Sequence, residues 1–229
     1  MTADATPRRA LPEKGGRRGR GLTLAGVVLL LLGLGALGWS GYELFWKPSV
    51  DPAVTTSLTA ELRQEWQAGP TASGKEAEVA RPMPGEAVAL LRVPKLGESF
   101  EHVVLAGTDG TSLDRGIGWY EGTSAPGEVG NFAVSGRGVV TGPLARITDL
   151  VAGDQVLVET REAVYTYELT NNPAETIVKD TDTWVIQPVP GKPEVRPTES
   201  LITLTTSHDL IRTDARTVAF GTLVSTQDK

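Results

Sequence analysis

The 229-residue sequence predicts a mainly β domain preceded by one N-terminal transmembrane helix. The run from Gly21 to Tyr42 is rich in leucine and holds no charge in 22 residues. From residue 87 onward, short runs of Val, Ile, Thr, Tyr and Trp alternate with Gly, Pro, Asn and Asp, the pattern of strands and tight turns. No series of helical patterns interrupts them, so nothing could cover both faces of a parallel sheet. An antiparallel barrel or sandwich of about 140 residues is the economical arrangement.

Composition narrows the chemistry. With 40% hydrophobic and 22% charged residues the chain is globular rather than disordered. It contains no cysteine, which excludes disulfides, thiolate metal sites and any covalent step through sulfur. The net charge of −6 is unevenly spread: Arg8, Arg9, Lys14, Arg17, Arg18 and Arg20 crowd the first twenty residues, opposed only by Asp4 and Glu13. The remainder is therefore more acidic than the whole, which argues against a nucleic-acid partner.

At about 1.5 Å per residue the uncharged run spans roughly 33 Å, enough for a hydrocarbon core of about 30 Å. It exceeds the apolar region of a cleavable signal, and Trp39, Tyr42, Phe45 and Trp46 form an aromatic belt at its exit. The expected organisation is a basic cytoplasmic tail (1–20), a bilayer anchor (21–42), a stalk helix and linker (43–86) and a β domain (87–229). Positive charge before the anchor places the β domain outside a single-pass plasma-membrane protein. Val54, Leu58, Leu62 and Trp66 recur every fourth residue and mark the stalk helix, ended by Gly69 and Pro70.

Strands are expected at 87–93, 102–106, 131–135, 155–160, 163–170, 176–179, 183–186, 201–206 and 217–224. A tight turn at Arg161 and Glu162 makes a hairpin of the fourth and fifth. Short helical turns fit near 112–115 and 144–150.

Several segments in order resemble the sortases: LRVPKLG at 91–97, GIGWYEGT at 116–123, GEVGNFAVSG at 127–136, ETIVKDTDTWVIQPVPG at 175–191 and SLITLTT at 200–206, with Arg216 beyond. The resemblance runs over 87–224 and is nearest to the class E sortases of actinobacteria. It implies an eight-stranded, antiparallel or mixed β-barrel with short helices that docks a sorting signal of LPxTG or LAxTG type. In such enzymes a Cys attacks the Thr-Gly bond, a His handles protons and an Arg steadies the substrate and oxyanion.

Carried over residue by residue, the match fails at two of these three positions. Ser207 stands at the Cys position, Arg137 at the His position and Gly138 at the Arg that follows it; Arg216 keeps its type. Trp119 replaces a further family His, and Asp209 stands where Pro is usual. A serine hydroxyl needs a base, and a guanidinium stays protonated. The only histidines are His102 and His208, and His208, next to Ser207 on an extended strand, points to the opposite face.

The implied protein is a membrane-anchored, catalytically inactive sortase relative that binds a sorting-signal peptide or surface protein. Two alternatives stand beside it: a slow Ser207-dependent transpeptidase or peptidase, and a structural envelope protein. Arg216 is read either as a relic or as the ion-pair partner of Asp209, Asp214 or another acid. No cofactor is expected, since no glycine-rich loop has a nucleotide-binding context. Some sortases bind calcium near the loop holding Asp180 and Asp182, but a solvated turn is the simpler reading of that pair.

Overall fold

A computed structural model describes residues 17–45, 50–68, 82–138, 141–209 and 213–229. The expected tail up to residue 16 and the linker from 69 to 81 lie outside the described residues. The chain forms two units, Met1–Trp46 and Lys47–Lys229. The first is helix α1 (Arg17–Phe45). Its stretch Leu24–Tyr42, of mean hydropathy 1.9, is long and apolar enough to cross a membrane, and none of its residues is buried. Leu29, Leu37 and Trp39 are all more than 60% exposed, an arrangement suited to an apolar solvent.

The second unit opens with helix α2 (Pro52–Ala68) and continues into nine strands: β1 (Ala87–Arg92), β2 (Glu101–Ala106), β3 (Ile117–Trp119), β4 (Gly130–Gly136), β5 (Gln155–Glu159), β6 (Ala163–Leu169), β7 (Ile177–Lys179), β8 (Ser200–Ser207) and β9 (Ala215–Asp228). A one-turn helix α3 (Gly110–Leu113) is capped by Asp109, whose carboxylate accepts the Thr111 and Ser112 amides. The sheet runs β6-β5-β1-β2-β3-β4-β8-β9, and β6 pairs with β9 to close an eight-stranded barrel, leaving β7 on the flank of β9. Pairings β2–β3 and β4–β8 are parallel and the rest antiparallel, so the barrel is mixed. Strand alternation fills it with Phe132, Val134, Tyr167, Ile202 and Leu204, all fully buried. The buried Tyr167 hydroxyl accepts the Gly127 amide at 2.8 Å.

Two differences from the expected strands have local causes. Strand β3 escapes sequence patterning because three residues around Gly118 carry too little β character; it extends because β2 and β4 supply partners on both sides. A Cβ on Gly118 would lie 2.4 Å from the Gly107 carbonyl oxygen, so only glycine lets these backbones approach. Conversely, 183–186 is a 3-10 turn, not a strand. The Asp182 carboxylate accepts the Lys179 amide, turning the chain after β7, and the Asn131 side chain takes the Val185 and Gln187 carbonyls, leaving no ladder to join.

Helix α2, read as a stalk, is docked on the barrel. Its stripe of Leu58, Leu62 and Trp66 packs on Leu90 of β1 and on Val103 and Leu105 of β2. Arg63 pairs with Glu101 at 2.6 Å, Arg161 donates to the Glu65 carbonyl, and the Lys229 ammonium sits 4.3 Å from the centre of the Trp66 ring. Leu62→Ala should cost about 2 kcal/mol, the low end for a buried leucine because a helix can settle toward the sheet. Urea unfolding compared with an exposed control, Gln64→Ala, measures this.

His102 of β2 has its ring edge-on to Phe100 at 4.8 Å and its Nδ1 buried without a partner among the described residues. Burial lowers its pKa from the ordinary histidine value of 6.5. Because the unfolded chain takes up the proton first, stability is full above pH 6.5 and declines as pH falls through the lowered value. Unfolding midpoints at pH 7 and pH 5 should differ, and His102→Phe should shrink that difference.

Candidate functional site

The parallel ladder of β4 on β8 and the antiparallel ladder of β8 on β9 end together. Gly136 lies opposite Thr206, and Ser207 lies opposite Arg216. One residue beyond the β4 ladder, Arg137 comes beside Ser207. Three neighbouring strand ends thus bring Arg137, Ser207 and Arg216 to the wall of one groove of about 630 Å³. Val178 of β7, Val185 and Ile186 of the 3-10 turn, Leu113 of α3 and Tyr120 also face it.

Hydrogen bonds hold the Ser207 backbone in place. Thr206 donates to the Gly136 carbonyl at 2.9 Å, Thr205 donates to the Val134 carbonyl, and the Tyr120 hydroxyl meets Thr205 Oγ1 at 3.1 Å. The Ser207 hydroxyl itself has no hydrogen-bond partner among the described residues. His208 turns away, as strand alternation requires: its Nδ1 meets Thr217 Oγ1 at 3.0 Å and its amide donates to the Ala215 carbonyl.

Each guanidinium has an acid beside it. Arg137 pairs with Asp114, just past α3, and its Nε is buried without an acceptor among the described residues. Arg216 reaches Asp180 at 3.4 Å and donates to the Thr213 and Ala215 carbonyls at 2.9 Å. Its partner is therefore neither Asp209, which accepts from Thr213 Oγ1 at 2.6 Å, nor Asp214. Asp114 is 61% exposed and Asp180 45%, so each pair is screened and contributes about 0–1 kcal/mol. Both arginines stay charged, and neither pair is hard to exchange.

A model of the sortase domain matches residues 91–224. The chain belongs to the sortase family. Sortase SrtE1 of Streptomyces coelicolor is 28% identical over an alignment of 210 positions that covers 87% of this chain and 56% of that protein, so this sortase spans little more than half of that relative's length. Sortase E from Streptomyces avermitilis superposes with a TM-score of 0.57 at 32% identity, over 64% of this chain and 93% of the other. SrtA sortase from Actinomyces oris gives 0.60 at 33% identity, over 65% and 85%.

Of the residues singled out by the sequence, Trp119 is not in this groove: it packs against the core near Phe132 and donates its Nε1 proton to Thr123 at 2.9 Å. Tyr120, its neighbour, takes a place in the groove instead. Asp114 is the partner that sequence reading missed, and nothing marks it locally; only the approach of α3 to the end of β4 brings it to Arg137. Asp180 and Asp182 both line the groove, one beside Arg216 and the other bonded to the Lys179 amide. Among the described residues no three His, Cys, Asp or Glu side chains are grouped as metal ligands.

Gly138 is boxed in. A Cβ there would lie 2.4 Å from the Ser207 carbonyl oxygen and 2.2 Å from Thr206 Oγ1, so a side chain at this position would require the backbone to move. A glycine at 138 and the path of the chain past Ser207 go together.

Proposed function

We propose that this sortase is a membrane-anchored, class E-like protein of the cell envelope that captures the sorting-signal segment of a surface protein in the groove at Ser207 and does not cleave it. The observation carrying this reading is the isolation of the Ser207 hydroxyl. Transpeptidation needs a nucleophile with a base in reach and a proton for the departing amine. Beside Ser207 stand two guanidiniums, which accept no proton near neutrality. The imidazole next in sequence is engaged with Thr217 on the other face. What the groove retains suits recognition: aliphatic walls, exposed strand-end backbone and polar side chains at one end.

The full chain in detergent, titrated with a fluorescent LAxTG hexapeptide, should bind it without producing cleaved or triglycine-ligated product. Arg137→Ala with Arg216→Ala should weaken binding about tenfold or more. Absence of binding by the parent would leave an envelope-packing role. Turnover by the parent that Ser207→Ala abolishes would make it a serine enzyme.

A further inference from the structure

We infer that the groove is built for a peptide ending in a free carboxylate, held at its C-terminus by Arg137, Ser207 and Arg216, rather than for a continuous chain with an intact bond at that point. The inference rests on the peptide-capture reading and names the ligand within it.

The geometry is a row. Adjacent strands lie about 4.8 Å apart, so the backbones of Arg137 and Arg216 straddle Ser207 across roughly 10 Å. The β8–β9 register pairs Ser207 with Arg216, the β4–β8 register carries Arg137 to the other side, and all three line the same groove. A hydroxyl without a partner among the described residues thus sits on the middle one of three neighbouring strand ends, with an arginine on each side lining the same groove. Guanidiniums present several donors in a planar fork that matches a carboxylate, and such charge-assisted bonds are about twice as strong as neutral ones. A peptide amide, carrying no charge, uses little of this.

The residues replaced relative to the family change the site in the same direction. A thiolate would repel a carboxylate, whereas the Ser207 hydroxyl donates to one. An imidazole is largely neutral near pH 7, whereas Arg137 is permanently charged. Asp114 and Asp180, which now face the guanidiniums, are themselves carboxylates on exposed, weakly held side chains. They occupy the arginines until a ligand with the same group arrives. The aliphatic wall of Val178, Val185, Ile186 and Leu113 gives the residues preceding the terminus an apolar surface, which favours a peptide over a small free anion.

The test compares labelled Leu-Ala-Glu-Thr bearing a free C-terminal carboxylate with the same peptide as its carboxamide, on the full chain in detergent. The acid should bind about tenfold or more tightly than the amide. Arg137→Ala and Arg216→Ala should each reduce that preference, and Arg137→Lys, which keeps charge but loses the fork, should reduce it in part. Millimolar acetate or phosphate should not displace the acid peptide. Equal affinity for acid and amide, with both weakened by the arginine substitutions, overturns this inference and leaves peptide capture standing. Displacement by phosphate alone at low concentration makes it a small-anion site and overturns it as well. If neither peptide binds, both readings fall together.

Discussion

Ser207→Cys with Arg137→His, which brings in a thiol and an imidazole in one step, should raise cleavage of an LAxTG peptide and its joining to triglycine far above the parent's level. The cysteine supplies a nucleophile that is partly ionised near neutrality, and Arg216, opposite residue 207 in the ladder, favours its thiolate. The histidine supplies the proton that the departing amine needs and the base that the incoming amine needs. Ser207→Cys alone retains Arg137, which also favours the thiolate but gives up no proton, so it should lag the double variant by about 10²–10⁴, the usual contribution of general acid–base catalysis. Mass spectrometry of the ligated product reads the outcome directly. Gly138 is to be left as it is, because a side chain there meets the Ser207 carbonyl. A double variant that keeps the parent's far-ultraviolet spectrum and peptide affinity yet stays silent would show that the groove has drifted too far for the chemistry to be put back.

The second large effect is expected at Asn131, a residue outside the groove. Its amide nitrogen donates to the Val185 carbonyl at 3.2 Å and the Gln187 carbonyl at 3.0 Å, and its oxygen accepts from Thr203 at 2.9 Å. Asn131 is 1% exposed and Thr203 fully buried. These bonds pin the 3-10 turn, and with it Val185 and Ile186, to β4 and β8. Asn131→Leu strands the Gln187 carbonyl in a dry setting, at about 1–3 kcal/mol for a group left unsatisfied, while Thr203 Oγ1 still donates to the Val185 carbonyl at 3.2 Å. A loss of about 1–3 kcal/mol in urea unfolding should result. The milder Thr203→Val removes one donor and should cost less while still weakening peptide binding. If Asn131→Leu unfolds no more readily than the parent, the turn is held by something other than this network.

The sequence and the structure agree most where the chain is periodic. The barrel strands rich in Val, Ile and Tyr, the hairpin at Arg161 and Glu162, and the stripe of α2 follow from local pattern, and the family segments led to the barrel. The short β3 and the turn at 183–186 were not readable, because each depends on partners distant in the chain: β2 and β4 for one, Asn131 for the other. The candidate site divides in the same way. Ser207 and Arg137 stood out by their departure from a motif and Arg216 by its retention, whereas Asp114 went unnoticed and Asp180, read as part of a solvated turn, is tied to Arg216 only by tertiary approach. That α2 packs on the barrel was likewise hidden, since an amphipathic stripe tells that a helix has a partner but not which one.

The seating of α2 also bears on how the domain meets mechanical load. The chain enters the second unit at Lys47, so a pull delivered through that end reaches α2 before it reaches β1. The Leu62 stripe, the Arg63–Glu101 pair and the Lys229 ammonium over Trp66 take the strain first. Were the helix to peel off, residues 52 to 68 would extend at up to about 3.5 Å per residue. The closed ring of strands would remain shut, so a pull at that end would be spent on freeing the helix before it distorted the groove.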